Sequence, residues 1–409
     1  MNICLVSREY PQETGWGGIG TYTYHLSQAL AENGHSVHVV CQGLERSNDY
    51  IDGRVYVHRV VHKNVLERKW FFREFALRLE YSLTVSQKVK ELIKKFSIEI
   101  IEGPNSSGET FFLTFGWKRV PVVTRLHTAF WETMECLGWK SNLDRSLTCR
   151  IEDAVVIRSD LVTCSTKSHA NIISQKTGID PEKVALIPLG TELPDLNIVR
   201  STSGSEPPFP KPMVLFIGRI ERRKGIHTLI EAIPAIMREI SGVHFVIIGR
   251  DTYVDDDVVS FQGSDRNSFK SALIRKLPEE CRKNVHFLGY VDPELIPRYM
   301  YHCDVFAAPS LYESFGQVYI EAMSYEKPVV GCRTGGVPEV VEDKKTGLLV
   351  DTDNPAQLAD AIISLLKDKD YAIAMGIAGR CSVEEKFTRK KMAERTLKAY
   401  EMVLNKRIL

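Results

Sequence analysis

The sequence predicts an α/β protein built from two doubly wound domains, each a parallel sheet covered by helices. Three observations predict it. Short apolar runs of strand length alternate with helix-spaced stretches about six or seven times in each half. Between the halves, Leu193 to Pro212 is rich in Pro, Ser and Gly, with Pro194, Pro207, Pro208, Pro210 and Pro212, as an interdomain linker is. In both halves strand-like runs end in glycine turns that open helices, as at Gly15 to Gly20, Gly218 to Gly225 and Thr334 to Gly336. The expected division is residues 1–193, a linker at 194–212, 213–385, and a last helix at 386–409.

Composition narrows the function classes. A chain of 409 residues with 44% hydrophobic content can fill two cores. Its 53 basic and 52 acidic residues leave a net charge of +1, so no global attraction to nucleic acid or to an anionic membrane is expected. The nine Cys are an odd number without a Cys-x-x-Cys, mostly inside strand-like runs. That favours buried thiols in a reducing compartment over a disulfide scaffold or a zinc site. The first strand starts at Asn2 with no leader-like segment ahead of it, and no run reaches the length of a membrane span, so a cytoplasmic protein is expected.

Taken in order, strand Asn2 to Val6 runs through Ser7 to Pro11 into the loop Gly15-Trp-Gly-Gly-Ile-Gly20, which opens a helix with apolar Tyr24, Leu26, Leu30 and Ala31. G-x-G-x-x-G spacing is absent, and such turns also close βα units that bind nothing. Strands follow at Ser36 to Cys41 and Arg54 to Val60. A long amphipathic stretch from about Trp70 to Phe96, with cations from Lys63 to Lys95, reads two ways. Its Trp70, Phe71, Phe72 and Phe75 either pack on the domain or meet a membrane surface, and Glu67, Glu74, Glu80 and Glu91 favour the first. After strand Ile98 to Glu102, the run Val120 to Thr128 delivers Arg125 and His127 near a strand's C-terminal end, where open α/β sheets hold ligands. A lone His there is more often structural. Trp131, Glu132 and Glu135 follow as candidates for an acceptor wall, then a helix at Ser141 to Arg158 and a strand at Asp160 to Cys164.

The second half begins with strand Met213 to Gly218 and the loop Arg219-Ile-Glu-Arg-Arg-Lys-Gly225. Gly-Arg-x4-Lys-Gly puts Arg219 and Lys224 at a strand end, a fork and a point charge suited to a diphosphate. Arg222 and Arg223 are expected in solvent. Beyond strand Val243 to Gly249 comes an insertion, Arg250 to Asn284, in the position of a lid or a partner surface. Its Asp255-Asp-Asp257 reads as a solvated loop rather than a metal site, because adjacent acids point in different directions. Strand Val285 to Leu288 leads to Gly289-Tyr-Val-Asp292, and helices are expected at Pro355 to Lys367 and Ala372 to Glu385.

The segment that organises the chain is Ser310-Leu-Tyr-Glu-Ser-Phe-Gly-Gln-Val-Tyr-Ile-Glu-Ala-Met323, between a buried strand at Asp304 to Pro309 and a helix starting at Gln317. A strand, loop and helix start presents free backbone N–H groups and the positive end of the helix dipole, so an anion is its natural guest. Glu313 and Glu321 beside such a site suit hydroxyl groups of a sugar or ribose, since carboxylates accept hydrogen bonds. Together these features point to a phosphorylated sugar.

Glu-x7-Glu in the setting Pro-Ser-x-x-Glu-Ser-Phe-Gly resembles the retaining glycosyltransferases of family 4, and with the basic loop the resemblance extends over nearly the whole chain. It implies the GT-B fold, two facing Rossmann-like domains with an interdomain cleft, the last helix crossing back onto the N-terminal domain. It also implies roles. Glu313 and His127 would serve catalysis at the donor sugar, and Glu321 would hold the ribose. Gly17, Gly18, Arg219, Lys224 and the backbone of Phe315, Gly316 and Gln317 would lie on the phosphates and sugar, with Tyr290 and Val291 at the base. Leu is commoner in the family where this chain has Gln317, a departure that bears on donor choice. The resemblance implies a metal-independent enzyme without cofactor that moves a sugar from a nucleotide-diphosphate donor to an acceptor hydroxyl, on a sugar or a lipid-linked molecule. A UDP-sugar is the expected donor, although no residue identifies the base. Weak association with the inner membrane face, in polysaccharide or glycolipid synthesis, fits the basic stretch. A sugar-nucleotide epimerase, a phosphorylase or a non-catalytic nucleotide-sugar-binding protein on the same fold stays open, although no pyridoxal-phosphate lysine motif is recognisable.

Overall fold

The computed structural model describes residues 1–405 except 15–16, 63–71, 117–118, 203, 205–206, 256–257 and 261–267, with 253–255 and 258–260 described as backbone only. Gly15 and Trp16 of the first glycine loop, Lys63 to Phe71 of the basic stretch and Asp256 and Asp257 therefore lie outside the described residues. Two compact units form, Met1–Gly190 with Thr388–Leu409, and Thr191–Phe387.

The first unit holds β1 (Asn2–Val6), β2 (Ser36–Gln42), β3 (Asn48–Asp52), β4 (Val55–Val60), β5 (Ile100–Pro104), β6 (Val122–Arg125), β7 (Leu161–Cys164) and β8 (Val184–Leu186). Their order is β3-β4-β2-β1-β5-β6-β7-β8, and only β3 runs antiparallel to its neighbour. The inner strands are apolar on both faces, as Val37, Val39, Val40 and Cys41 of β2 show, because helices cover both sides of a parallel sheet. Helix Gly18–Glu32 buries Leu26, Ala29 and Leu30 at helical spacing and ends at Gly34, whose φ of +83° few other residues tolerate. β3 is different: Asn48-Asp-Tyr-Ile-Asp52 is polar at both ends and owes its strand form to the edge position beside β4.

The second unit has β9 (Met213–Ile217), β10 (His244–Ile248), a hairpin of β11 (Tyr253–Asp255) and β12 (Val258–Ser260), then β13 (Val285–Gly289), β14 (Val305–Ala308), β15 (Val329–Cys332) and β16 (Gly347–Val350). The main sheet is parallel, in the order β13-β10-β9-β14-β15-β16. Helix Ile226–Glu239 lays Leu229, Ile233 and Ile236 on Val214, Phe216 and Phe245. Each such fully buried side chain contributes about 1.5–3 kcal/mol relative to exposure.

In both sheets the chain winds outward on one side and then returns to the other. The reversal falls between β1 and β5 in the first unit and between β9 and β14 in the second. At such a switch point the loops leaving neighbouring strands diverge and open a crevice at their carboxyl ends. The loops that carry Arg219, Lys224 and Glu313 leave β9 and β14.

Candidate functional site

Three loops of the second unit touch backbone to backbone, and glycines permit the contact. Gly225 has a φ of +67°, and a Cβ there would lie 1.7 Å from the Pro309 carbonyl oxygen. This close approach sets the loop after β9 against the loop after β14, and the Leu311 N–H donates to the Arg223 carbonyl at 2.8 Å. On the other side Gly335, with a φ of +51°, brings the loop after β15 so near that a Cβ would sit 2.1 Å from the Glu313 carbonyl oxygen. That carbonyl accepts from the Gly336 N–H at 2.8 Å, and the Thr334 hydroxyl donates to the Leu311 carbonyl at 3.0 Å.

The clamped loops bring together side chains 89 residues apart in sequence. Glu313 is 7% exposed; its Oε1 accepts from Lys224 Nζ at 2.5 Å and from the Ser310 hydroxyl at 3.0 Å, and its Oε2 lies 3.8 Å from Arg223 Nη1. Arg223 Nη2 lies 3.1 Å from Glu221 Oε1, as does Arg219 Nη2. Three cations thus share two carboxylates, Glu221 and Glu313, and the cluster keeps one positive charge in excess. Burial works against the Glu313 charge, but Lys224, Arg223 and the bonds from Lys224 and Ser310 outweigh it and hold the carboxyl below its ordinary range. Lys224 is pulled below the ordinary lysine value by burial and by Arg223 and Arg219, against the attraction of Glu313. At this contact distance the pair is ionic, and a further anion would relieve the excess.

Arg223 corrects the sequence reading. Arg222 is in solvent, with its side chain 58% exposed, but Arg223 is buried and ion-paired, because the 3-10 turn Arg222–Lys224 points successive side chains in different directions. Sequence reasoning also missed Glu221 and Ser310, both carboxylate or hydroxyl partners of the cluster. Nothing in the local pattern marks them.

Beside this cluster, helix Gln317–Ser324 starts at Gly316 with no side chain capping it. Gly316 takes a φ of +90°, and its Cα hydrogen faces the Tyr319 ring, so a Cβ there would meet the ring at 2.5 Å. The Tyr319 hydroxyl ties the helix to the Ala308 carbonyl at the end of β14. The Phe315 ring is buried edge-on against Phe387, which anchors the turn. Gln317 is buried at the first helical position. Glu321, one turn on, is partly buried, and burial pushes its carboxyl up to about 7 against the pull of the neighbouring Gln317 amide and the charge of Lys224. Tyr290 and Val291 follow β13, the outer strand of the sheet; Tyr290 is half-exposed with the Arg250 guanidinium 4.9 Å above its ring.

In the first unit, Gly17 precedes the helix in an extended conformation, again without a side-chain cap. A Cβ at Gly17 would run into the Glu9 carboxyl, whereas one at Gly18 would meet open space. The helix that Gly18 opens carries Tyr22 to His127, with their rings edge to face at 5.3 Å. His127 follows β6 and is 9% exposed; its backbone N–H donates to Asn105 Oδ1 at 2.7 Å, while the ring Nε2 has no hydrogen-bond partner among the described residues. Burial, then Arg125 and His169, push its pKa well below the ordinary histidine value, so the ring is neutral. Behind it Glu102, which sequence reasoning passed over, accepts from the hydroxyls of Tyr22 at 2.6 Å and Tyr400 at 2.9 Å, which ties the last helix into the same unit. Glu132 is no acceptor wall: it is buried, capping Ala129 N–H at 2.6 Å and pairing with His169 at 3.1 Å.

The family model described as Glycosyltransferase Family 4 matches residues 16–193, and the model described as Glycosyl transferases group 1 matches residues 203–381. The chain belongs to the family 4, group 1 glycosyltransferases. The chain is 35% identical over 179 residues to a GDP-mannose-dependent alpha-(1-6)-phosphatidylinositol monomannoside mannosyltransferase of Mycobacterium tuberculosis, the match spanning 42% of each chain. It is 26% identical to the alpha-maltose-1-phosphate synthase of Mycolicibacterium smegmatis, over 98% of this chain and 100% of that one. Among solved structures, sucrose-phosphate synthase from Thermosynechococcus elongatus superposes with a TM-score of 0.78 at 22% identity, covering 99% of both chains. That likeness establishes the two-domain GT-B fold for the chain. No helix among its described residues is long and apolar enough to cross a membrane.

Proposed function

We propose that this glycosyltransferase moves a sugar from a nucleotide-diphosphate donor to an acceptor hydroxyl, with retention of configuration and without a metal ion. The observation that carries the reading is the surplus cation at the switch point of the second unit, beside an uncapped helix start. In the proposed reaction the bond from the anomeric carbon to the diphosphate breaks as the bond to the acceptor oxygen forms on the same face. The departing phosphate oxygen takes the acceptor's proton, so no second carboxylate is needed across the ring as in a retaining hydrolase. Arg219, Lys224 and the amides of Phe315, Gly316 and Gln317 stabilise the charge that develops on the diphosphate. Glu313, held as an anion by Lys224, accepts from a hydroxyl of the donor sugar. Glu321 accepts from the ribose hydroxyls in its ionised form. His127 is proposed to act as a neutral imidazole toward the transferring sugar, with Gly17 and Gly18 admitting the phosphate to the backbone.

The donor is proposed to be a UDP-sugar, read at the base by Tyr290 and Val291, and the acceptor a sugar or lipid-linked glycan made in the cytoplasm. The mannosyltransferase relative is named for GDP-mannose and a phosphatidylinositol acceptor, so the base is the point that a test must resolve first. Thermal shift with UDP-, GDP-, ADP- and TDP-sugars, followed by nucleotide release with the best binder, tests the proposal. Stabilisation by one class that is lost in both Lys224→Ala and Glu321→Ala supports it. Absence of stabilisation by every sugar nucleotide would overturn it.

A further inference from the structure

The amino ends of the same strands hold a second concentration of positive charge. Lys211 enters β9, and Lys327 enters β15, while Tyr301 and His302 close the helix Ile296–His302 that leads to β14. With Arg200 and Ser201 of helix Leu196–Thr202 they line a cavity of about 710 Å³. A volume between about 300 and 1,000 Å³ is that of a small-molecule pocket. Four or five residues of strand at about 3.3 Å each put it roughly 15 Å from the loops of Arg219 and Glu313, on the opposite edge of the sheet.

The charges here are incompletely compensated. Asp304 is the near carboxylate, but its Oδ2 already accepts from the Met213 N–H at 2.7 Å and its Oδ1 from Lys211 Nζ at 3.0 Å. Lys327 donates to the Tyr301 carbonyl at 2.5 Å and lies 5.5 Å from the centre of that ring. Burial and the charge of Lys211 both disfavour its ammonium, with Asp304 and Glu326 acting the other way. Arg200 makes no ion pair among the described residues. Three cations therefore converge on one cavity with two carboxylates near them, and the Tyr301 hydroxyl adds a neutral donor.

We propose that this cavity is a second binding site, separate from the donor site, for the phosphate group of a small phosphorylated metabolite such as a sugar phosphate. Arg200 and Lys211 would take the phosphate oxygens, since both have exposed heads, and Lys327 would contribute charge from the cavity floor. Inorganic phosphate fills only part of such a volume, so a sugar phosphate is expected to bind more tightly.

Isothermal titration of the full chain with inorganic phosphate and with glucose 6-phosphate tests this, comparing wild type, Arg200→Gln/Lys211→Gln and Lys224→Ala. The expected result is binding in wild type and Lys224→Ala, tighter for glucose 6-phosphate, and at least about tenfold weaker in the double variant, where two charged donors are lost. A nucleotide sugar, used as a control for folding, should bind the double variant as it binds wild type. The proposal is overturned if neither phosphate binds wild type, or if binding survives in the double variant and disappears in Lys224→Ala, which would place the phosphate in the donor site. Because nucleotide-sugar binding is read separately, failure here leaves the donor reading untouched.

Discussion

Removing Lys224 should leave Glu313 as a buried carboxylate with its nearest cation gone. In Lys224→Ala, the Ser310 hydroxyl at 3.0 Å and Arg223 at 3.8 Å remain. Severing one member of a buried ion pair costs about 3–5 kcal/mol. The remaining Arg223 and the water that replaces a side chain 18% exposed reduce that to about 2 kcal/mol. For a unit near two hundred residues this lowers the melting temperature by roughly 4–8 °C. Glu313→Gln should cost a similar amount, because Lys224 and Arg223 then face Glu221 alone. The double variant Lys224→Ala/Glu313→Gln removes both charges and should cost less than the sum of the singles, by about 1–3 kcal/mol of coupling. Thermal melting of the free protein at pH 7.5, without donor, measures all four corners of the cycle. The sign with pH follows from the lowered Glu313 pKa: the pair stabilises above the unfolded carboxyl value of about 4.3 and loses that contribution as pH falls through the lower folded value. The wild-type advantage over Glu313→Gln should therefore persist to pH 5 and shrink in stronger acid. Additive single effects, or a Lys224→Ala protein that melts within about one degree of wild type, would refute the reasoning.

Four further outcomes are expected. Glu321 has a folded pKa of about 7, above its unfolded value, so its stabilising contribution is fully present below the unfolded value and declines as pH rises through 7. Glu321→Gln should accordingly be more stable than wild type at pH 8, by about 1–2 kcal/mol after allowing for partial exposure, and no different at pH 4, as melting at the two pH values will show. Nucleotide-sugar affinity of wild type should rise between pH 6 and 8 as Glu321 ionises, and Glu321→Gln should show no such rise by titration calorimetry. Gly225→Ala places a methyl against the Pro309 carbonyl at a φ of +67°, so it should cost more than the ~1–2 kcal/mol of the left-handed backbone alone and weaken donor binding with it; unchanged binding would argue against the clamped-loop account. His127, held neutral by burial and by Arg125, should show ring proton shifts that do not titrate between pH 5 and 8 by NMR, whereas a midpoint near 6.5 would contradict its buried placement.

Much of the strand and helix order was legible because a parallel sheet buried on both faces writes itself as apolar runs. β9, β10 and β14 are such runs, and their ends are marked by Gly218, Gly249 and Pro309. β3 was not legible: Asn48, Asp49 and Asp52 disfavour a strand, which leaves only Tyr50 and Ile51 to signal one, and pairing at the sheet edge supplies the rest. Arg222 and Arg223 read as solvated from composition, and Arg223 is buried only because Glu221 and Glu313 converge on it. Glu132 looks like an exposed helical acid until His169, from a helix 37 residues on, is found against it.

By itself, then, the chain of residues determined which chemical groups stand at the ends of which strands: Arg219 and Lys224 after one, Glu313 and Glu321 after another, His127 after a third. Those are local facts, set by apolar runs, glycines and turns that span a dozen residues. Tertiary structure alone decided which cation each carboxylate neutralises, that one positive charge is left over, and that His127 lies against Tyr22 in a site where the ring is neutral. Those outcomes depend on burial and on contacts between segments far apart in the chain, and neither burial nor through-space distance is encoded in any short stretch of sequence.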